Sequence, residues 1–516
     1  MAGVNKKSCK DASREFWRNM IILILFLIPA ANARNKPNFV FILTDDQDVT
    51  MGGQIPMAKT KKLVGDQGII FNNMFTTSPL CCPSRSSIFT GRYVHNHKAL
   101  NNSVSGNCSS PAWQQTQEPN AFPTHLKDNG YETFFAGKYL NQYGFPATGG
   151  VEHVPPGWDN WYGLAGNSKY YNYALSVNGK REKHGDQYPQ DYLTDVIHKR
   201  ARQFLDSRHK WSNPFFMMLS TPACHAPFTP APQHNSSFSN MTAPRNGSYN
   251  IKAQNKHWLI EQTVVPMPDD TVKSSDEIFR NRWRTLLSVD DMVEDILETL
   301  DTKGILDNTY VFFSSDNGYH LGQFGLPYDK RQLYDFDIRV PLMVRGPGIK
   351  PATFSDEAVL NIDLAPTFLS LVGSIMPGAD GVSFKDILHP QDNGTKPVRG
   401  TFLVEHTGEY SETIKGCPQY TGQNMNNCNN HCVCEDSENN TFACIVQISK
   451  MENMKYCEFI DLQNSVEIYD LKSDPAELNN LYQTWQTTDP KKIASLERQL
   501  QYLATCSGEA CHSVPT

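Results

Sequence analysis

Apolar residues occur along this chain in two spacings, and each predicts a different element. Unbroken β-prone runs stand at Asn38-Phe39-Val40-Phe41-Ile42-Leu43-Thr44, Phe215-Phe216-Met217-Met218-Leu219, Tyr310-Val311-Phe312-Phe313 and Val340-Pro341-Leu342-Met343-Val344. Runs of this kind suit strands buried on both faces. Apolar residues three and four apart among charges predict helices over 191–205 and 279–300. Strands alternating with helices predict an α/β fold, with a large, mostly parallel central sheet flanked by helices. We place this domain at residues 36–390, before the polar break at 391–396.

How the runs stop is as telling as how they are spaced. The first ends in Asp45-Asp46-Gln47-Asp48, and the third passes through Ser314-Ser315 into Asp316-Asn317-Gly318. Carboxylates at the carboxyl end of a buried strand lie where ligands bind in open α/β sheets. Asp45, Asp46, Asp316 and Asn317 offer hard oxygen donors that suit Ca²⁺ or Mg²⁺ and are poor for zinc. For either pair alone, the alternative is a strand-terminal turn with Asx caps.

Composition narrows the setting. A chain of 516 residues exceeds the usual single core, and 39% hydrophobic with 20% charged residues excludes disorder as the default. Lys6, Lys7, Lys10, Arg14 and Arg18 precede the apolar run 20–29, and Ala31-Asn32-Ala33 matches a small-residue cleavage site. Residues 1–33 therefore read as a signal peptide, with an uncleaved anchor as the alternative. Cleavage there moves the formal charge from −7 to −10. That balance predicts no nucleic-acid partner. The apolar run 20–29 is too short to span a bilayer comfortably, so no stable membrane span is expected once the signal is removed. An anionic substrate would have to be met by a local cluster of Arg, Lys and His.

Thirteen cysteines and N-x-Ser/Thr acceptors at Asn101, Asn107, Asn235, Asn240, Asn246, Asn393 and Asn439 point to the secretory pathway. The stretch 235–249 reads as an exposed glycosylated loop. Cys417, Cys428, Cys432, Cys434, Cys444, Cys457, Cys506 and Cys511 crowd residues 391–516 and mark a smaller, disulfide-rich α+β domain. Zinc at Cys428, Cys432 and Cys434 is the competing reading.

One short stretch organises these features. Cys81-Cys82-Pro83-Ser84-Arg85, continued by Ser86-Ser87-Ile88-Phe89-Thr90-Gly91-Arg92, resembles the signature of the sulfatase family. The pentapeptide alone reads as a disulfide cysteine before a turn. The resemblance implies an alkaline-phosphatase-like fold in which Cys81, not Cys82, is oxidised by the formylglycine-generating enzyme to formylglycine (3-oxoalanine). It also implies one Ca²⁺ held by Asp45, Asp46, Asp316, Asn317 and residue 81. A hydrated aldehyde offers one hydroxyl to attack sulfur and a second whose collapse expels sulfate. If a helix begins after Pro83, Arg85 turns back toward this nucleophile, and free amides near Ser84 to Ser87 add to the anion site.

By the same resemblance Lys138 contacts sulfate and the nucleophile, His225 the leaving side, and Lys330 the sulfate again. Asp316 accepts the proton of the attacking hydroxyl, and His225 or Lys330 protonates the departing oxygen. Leu140 stands where many arylsulfatases have histidine, so His95, His97, His320 and Arg331 become candidates to line the pocket. Discounting Cys9 and Cys81 leaves eleven cysteines, an odd number. Cys224 is the expected free thiol if Cys82 pairs with Cys108 and the C-terminal eight pair among themselves, a connectivity that sequence alone leaves open.

Tyr93-Val94-His95-Asn96-His97, Leu140-Asn141 and Asp329-Lys330-Arg331-Gln332-Leu333-Tyr334 are similar to the family branch that acts on 6-sulfated glucosamine. This implies a lysosomal exo-enzyme that removes the 6-sulfate of terminal N-acetyl-D-glucosamine in heparan and keratan sulfate, its partners being glycosaminoglycan ends. Secretion and a homodimer are compatible with it. The alternatives are an extracellular endosulfatase, for which the long basic insertion is missing, and an arylsulfatase. A superfamily phosphatase or phosphodiesterase would offer Ser or Thr to two transition metals, and a glycan-binding pseudoenzyme would show a degraded site.

Overall fold

The structure, a computed structural model, describes residues 36–245, 247–390, 398–409, 435–450, 452–461 and 463–514. The expected signal peptide, Asn246, Asn393, the boundary at 390/391 and Cys417, Cys428, Cys432 and Cys434 border on or lie outside the described residues.

The first apolar run is strand β1, Asn38–Thr44, buried along its whole length. Its alternating side chains feed two separate cores: Phe39, Phe41 and Leu43 enter one, Val40 and Ile42 the other. The further strands of this sheet are β2 (Ile69–Phe71), β3 (Glu132–Gly137), β4 (Asn160–Leu164), β5 (Ala174–Val177), β6 (Lys180–Lys183), β7 (Phe215–Ser220), β8 (Thr309–Ser315), β9 (Leu342–Arg345) and β10 (Thr353–Ser355). They lie in the order β10-β2-β9-β8-β1-β7-β3-β4-β5-β6. The centre, β8-β1-β7-β3-β4, is parallel, as expected from its runs. The margins are mixed, and β9 runs antiparallel to both neighbours. The apolar run includes Val340 and Pro341, but the strand starts at Leu342, because proline has no N–H to give to the ladder.

Helix α1 is Cys81–Thr90, α2 Leu193–Asp206 and α3 Asp269–Thr302. Helix α3 begins ten residues before the apolar periodicity does. Its polar first turns are helical, with Asp269 and Asp270 placed where the macrodipole favours acids. Helices α2 and α3 cover one face of the sheet through Val196, Ile197, Leu286, Val289 and Val293. The other face is covered by Phe122 and Phe368, which pack edge-on against Phe216.

The C-terminal region forms an antiparallel sheet of β11 (Thr401–His406), β12 (Phe442–Ile448), β13 (Asn453–Phe459) and β14 (Val466–Asp470), with helix α4 (Pro490–Leu503) against it. Cys444 and Cys457 face each other across β12 and β13 and are bonded, as are Cys506 and Cys511 and, in the large domain, Cys82 and Cys108. Cys81 and Cys224 are the free cysteines among the described residues. This sheet shares one core with the large domain: Phe402, Ile445 and Leu496 cluster with Phe75, Tyr93 and Tyr334. Among the described residues no helix is long and apolar enough to cross a membrane.

Candidate active site

Four adjacent parallel strands deliver the site. β8 ends before Asp316-Asn317, β1 before Asp45-Asp46, β7 before the turn that carries Cys224-His225, and β3 before Lys138. Gly137 makes the last exit possible: its φ is +114°, and a Cβ there would lie 1.8 Å from the carbonyl oxygen of Ser220. Helix α1 crosses these strand ends with all ten of its residues buried, and Gly91, left-handed at φ +65°, stops it.

The helix begins at Cys81 rather than after Pro83. Ser84 N already donates to Leu80 O at 2.9 Å, and the amide of Cys82 donates to Asn102 Oδ1 at 2.9 Å. The expectation of an anion site built from amides near Ser84 to Ser87 is therefore corrected: Ser84 is already spent on the helix. Arg85 does turn back. Its Nε donates to Asp316 Oδ2 at 2.7 Å, its Nη1 to Lys138 O at 2.8 Å and Ser220 Oγ at 2.7 Å, while Nη2 makes no hydrogen bond.

Around Cys81 the charges alternate. Cys81 Sγ lies 3.8 Å from Asp45 Oδ1 and 3.9 Å from Asp46 Oδ1. Lys138 Nζ donates to Asp45 Oδ2 at 2.7 Å and Lys330 Nζ to Asp46 Oδ2 at 2.9 Å. Asp316 Oδ1 accepts from Asp46 N at 3.0 Å, and Asn317 Nδ2 donates to Asp46 Oδ1 at 2.7 Å. Burial works against charge on Asp45, but Lys138, His225, Arg85 and Lys330 outweigh it and hold its carboxyl well below the usual range. Asp316 goes the other way. Burial, with Asp45 and Asp46 close by, pushes it up to about 7 against the pull of Arg85. Burial also drives the Cys81 thiol up to about 12, so an unmodified Cys81 is a protonated, weak nucleophile.

Oxygens of Asp45, Asp46 and Asp316 lie within 4.8 Å of one another, and Asn317 Oδ1 is buried with no hydrogen-bond partner. Three carboxylates and an orphaned amide oxygen form a donor set that fits a hard divalent cation, whose charge would relieve the crowding that raises Asp316.

Above this floor opens a cleft of about 310 Å³, walled by residues that include Asn102, Asn141, His225, Tyr319, Asp329, Arg331 and Glu409. His225 Nδ1 donates to Ala226 O at 2.7 Å, which leaves Nε2 facing Asp46 at 3.9 Å; burial and then Lys330 lower its pKa. Of the four residues expected to line the pocket, only Arg331 does so. His95 is held between Glu405 (3.0 Å) and Cys506 O (2.8 Å) at the joint with the C-terminal region. His97 is fully buried, accepts from Ala99 N and lies 3.0 Å from Ser87 Oγ, and burial lowers it to about 3. His320 sits between Asp337 (3.0 Å) and Glu435 (3.3 Å). The expectation that these three histidines line the pocket is corrected, since each ring is already engaged elsewhere.

Sequence reasoning missed Ser168, whose hydroxyl donates to Asp45, and Ser84, whose hydroxyl donates to Asp316 O. It also missed Glu409, which grips Arg331 at 2.7 Å, and no local motif marks it. Of the glycan acceptors, Asn235 and Asn240 are exposed, Asn107 and Asn439 half-buried, and Asn101 only 7% exposed. The loop expected to be exposed over 235–249 is buried at its end, where Tyr249 pairs with Gln323.

The family model described as Sulfatase matches residues 37–374. The N-acetylglucosamine-6-sulfatase of Capra hircus is 51% identical over 488 residues, 94% of this chain and 86% of that protein. The Homo sapiens protein of the same name is 50% identical over 94% of this chain and 87% of its own length. An extracellular sulfatase SULF-1 homolog of Drosophila melanogaster is 42% identical over 72% of this chain but only 33% of its own. Among solved structures, BT4656 with its substrate D-glucosamine-2-N,6-O-disulfate shares the fold, with a TM-score of 0.70 and 24% identity over 90% of this chain and 97% of that one.

Proposed function

The chain belongs to the sulfatase family, and we infer that it hydrolyses the 6-sulfate ester of N-acetyl-D-glucosamine 6-sulfate at the ends of heparan and keratan sulfate chains. The observation that carries this reading is the ring of Lys138, Lys330, Arg85 and His225 about a buried Cys81, beneath a cleft at the small end of ligand sites. A cleft of that size suits one terminal sugar better than the interior of a polymer.

Formylglycine at position 81 would supply the attacking hydroxyl and a route for releasing sulfate, and Ca²⁺ on Asp45, Asp46, Asp316 and Asn317 would supply positive charge for that hydroxyl and for the sulfate oxygens. The chain's own side chains do the rest. Lys138 and Lys330 are both held protonated, against burial, by Asp45 and Asp46 respectively. They bind sulfate oxygens as fixed cations and are poor proton donors. Arg85 orients Asp316, the carboxylate we assign to accept the proton of the attacking group. His225 has the opposite bias from Lys330: kept low by burial and by that lysine, it gives up a proton readily once it has one. We therefore assign it the protonation of the departing sugar oxygen. Asp329, Arg331 and Glu409 present polar groups to the sugar.

The same reading makes the protein a glycoprotein of the lysosome, reached through the secretory pathway after oxidation of Cys81 by the formylglycine-generating enzyme. The three disulfides among the described residues and the exposed sequons support that route. Peptide mass spectrometry at residue 81, with sulfate release measured from 6-sulfated glucosamine at chain ends and in chain interiors, tests it. We expect an aldehyde at position 81, release from ends only, and a secreted but inactive Cys81→Ala variant. Full activity in that variant sinks the mechanism; an unmodified thiol favours a phosphatase, and release from interiors favours an endosulfatase.

A further inference from the structure

Asp46 carries more than its carboxylate. Its backbone is left-handed, at φ +64°, a conformation uncommon outside glycine that aspartate tolerates better than most residues. Its N–H and carboxylate are engaged by Asp316, Asn317 and Lys330, and its carbonyl accepts from the Cys224 thiol at 3.5 Å and, at closer range, from a guanidinium. Arg282, a fully helical residue of α3 some two hundred positions away in sequence, donates Nη2 to Asp46 O at 2.9 Å and to Asp48 Oδ1 at 2.6 Å. The other oxygen of Asp48 accepts from Met51 N at 2.8 Å, which closes the loop that follows β1. The same guanidinium lies 4.0 Å from the ring centre of Tyr319, which follows Asn317-Gly318 and forms part of the cleft wall. It is 1% exposed and is not among the residues that line the cleft, so it does not touch substrate.

We propose that Arg282 is a positioning residue for the cation site: from α3 it ties together the two loops that carry the site's carboxylates, fixing the backbone of Asp46 on one and the ring of Tyr319 on the other. If the carbonyl of Asp46 were released, its N–H would leave Asp316 Oδ1 and its carboxylate would leave Asn317 and Lys330. The arrangement of oxygens, more than their number, depends on this clamp. The inference rests on the cation reading of the site given above.

Its sign makes it testable. By charge alone, removing a buried cation near the site strengthens the binding of Ca²⁺; by position, it weakens it. The full-length secreted enzyme is stripped with a chelator and titrated calorimetrically with Ca²⁺, alongside Arg282→Met and Arg282→Lys. We expect Met to weaken Ca²⁺ binding by about 10-fold or more, the scale of losses when groups that orient metal ligands are removed, and Lys to weaken it by a smaller factor. Ca²⁺ binding by the Met variant as tight as, or tighter than, that of the unaltered enzyme overturns the role of Arg282. If the Met variant is not secreted, the Lys variant decides: weaker binding upholds the proposal and unaltered binding overturns it. An unaltered enzyme that takes up no Ca²⁺ overturns the cation reading, and this inference with it.

Discussion

The floor of the cleft and its wall are built on different principles. The floor is made of Asp45, Asp46, Asp316, Lys138 and Cys81, all within two residues of a strand end or in α1, and all essentially without exposure. Four neighbouring strands fix their spacing, because parallel strands in one sheet all end at the same edge. The wall comes from loops and from the C-terminal region: Asp329 and Arg331 lie between β8 and β9, and Glu409 follows β11. Arg331 is itself left-handed, at φ +94°, and is held by Asp329 at 2.6 Å and Glu409 at 2.7 Å. On the proposed function, the sheet edge carries the chemistry, and the loops and C-terminal region carry the fit to a particular sugar.

Substitutions in the two regions can break this contrast. The largest effect is expected in the floor. Asp316→Asn removes a cation-facing carboxylate and the partner of Arg85, and sulfate release is expected to fall by about 10³-fold or more, with Ca²⁺ titration showing weaker binding. A wall substitution is expected to act on binding instead. Glu409→Gln leaves Arg331 with Asp329 and is expected to raise KM about 10-fold, about 1.4 kcal/mol, with kcat little changed. If kcat collapses with it, floor and wall are not separable.

The smallest effect concerns the joint between the regions, where His320 lies between Asp337 and Glu435. Burial alone would lower this histidine, but the two carboxylates outweigh it and push it from 6.5 up to about 10. The folded protein therefore keeps a proton that the unfolded chain releases above its ordinary value. The resulting stability is fully present below pH 6.5 and is lost as pH rises toward 10. Thermal unfolding between pH 7 and 10 is expected to show a falling midpoint, and His320→Gln to flatten that slope. An unchanged slope in the variant removes His320 from the account.

Much of the floor could be read from residues in order. A buried run followed by carboxylates announces a strand end at a ligand edge, and both Asp45-Asp46 and Asp316-Asn317 obey that grammar because it is local. Cys81 and Arg85 stand four apart, and a single helical turn brings Arg85 back toward the site. The histidines failed for the opposite reason. A histidine is as able to pair with a buried acid as with a substrate, and only the folded chain brings Glu405 to His95, Ser87 to His97 and Glu435 to His320.

By itself, the sequence determined the strand runs, their acidic ends and the Cys81 segment, since each depends on near neighbours. The tertiary structure alone decided that α1 starts at Cys81, that Glu409 reaches the cleft from beyond β11, and that Arg282 grips Asp46 across 236 positions. Those contacts join groups far apart in the chain, and which buried donor meets which buried acceptor is settled only when the whole core closes, because each must find a partner once water is excluded.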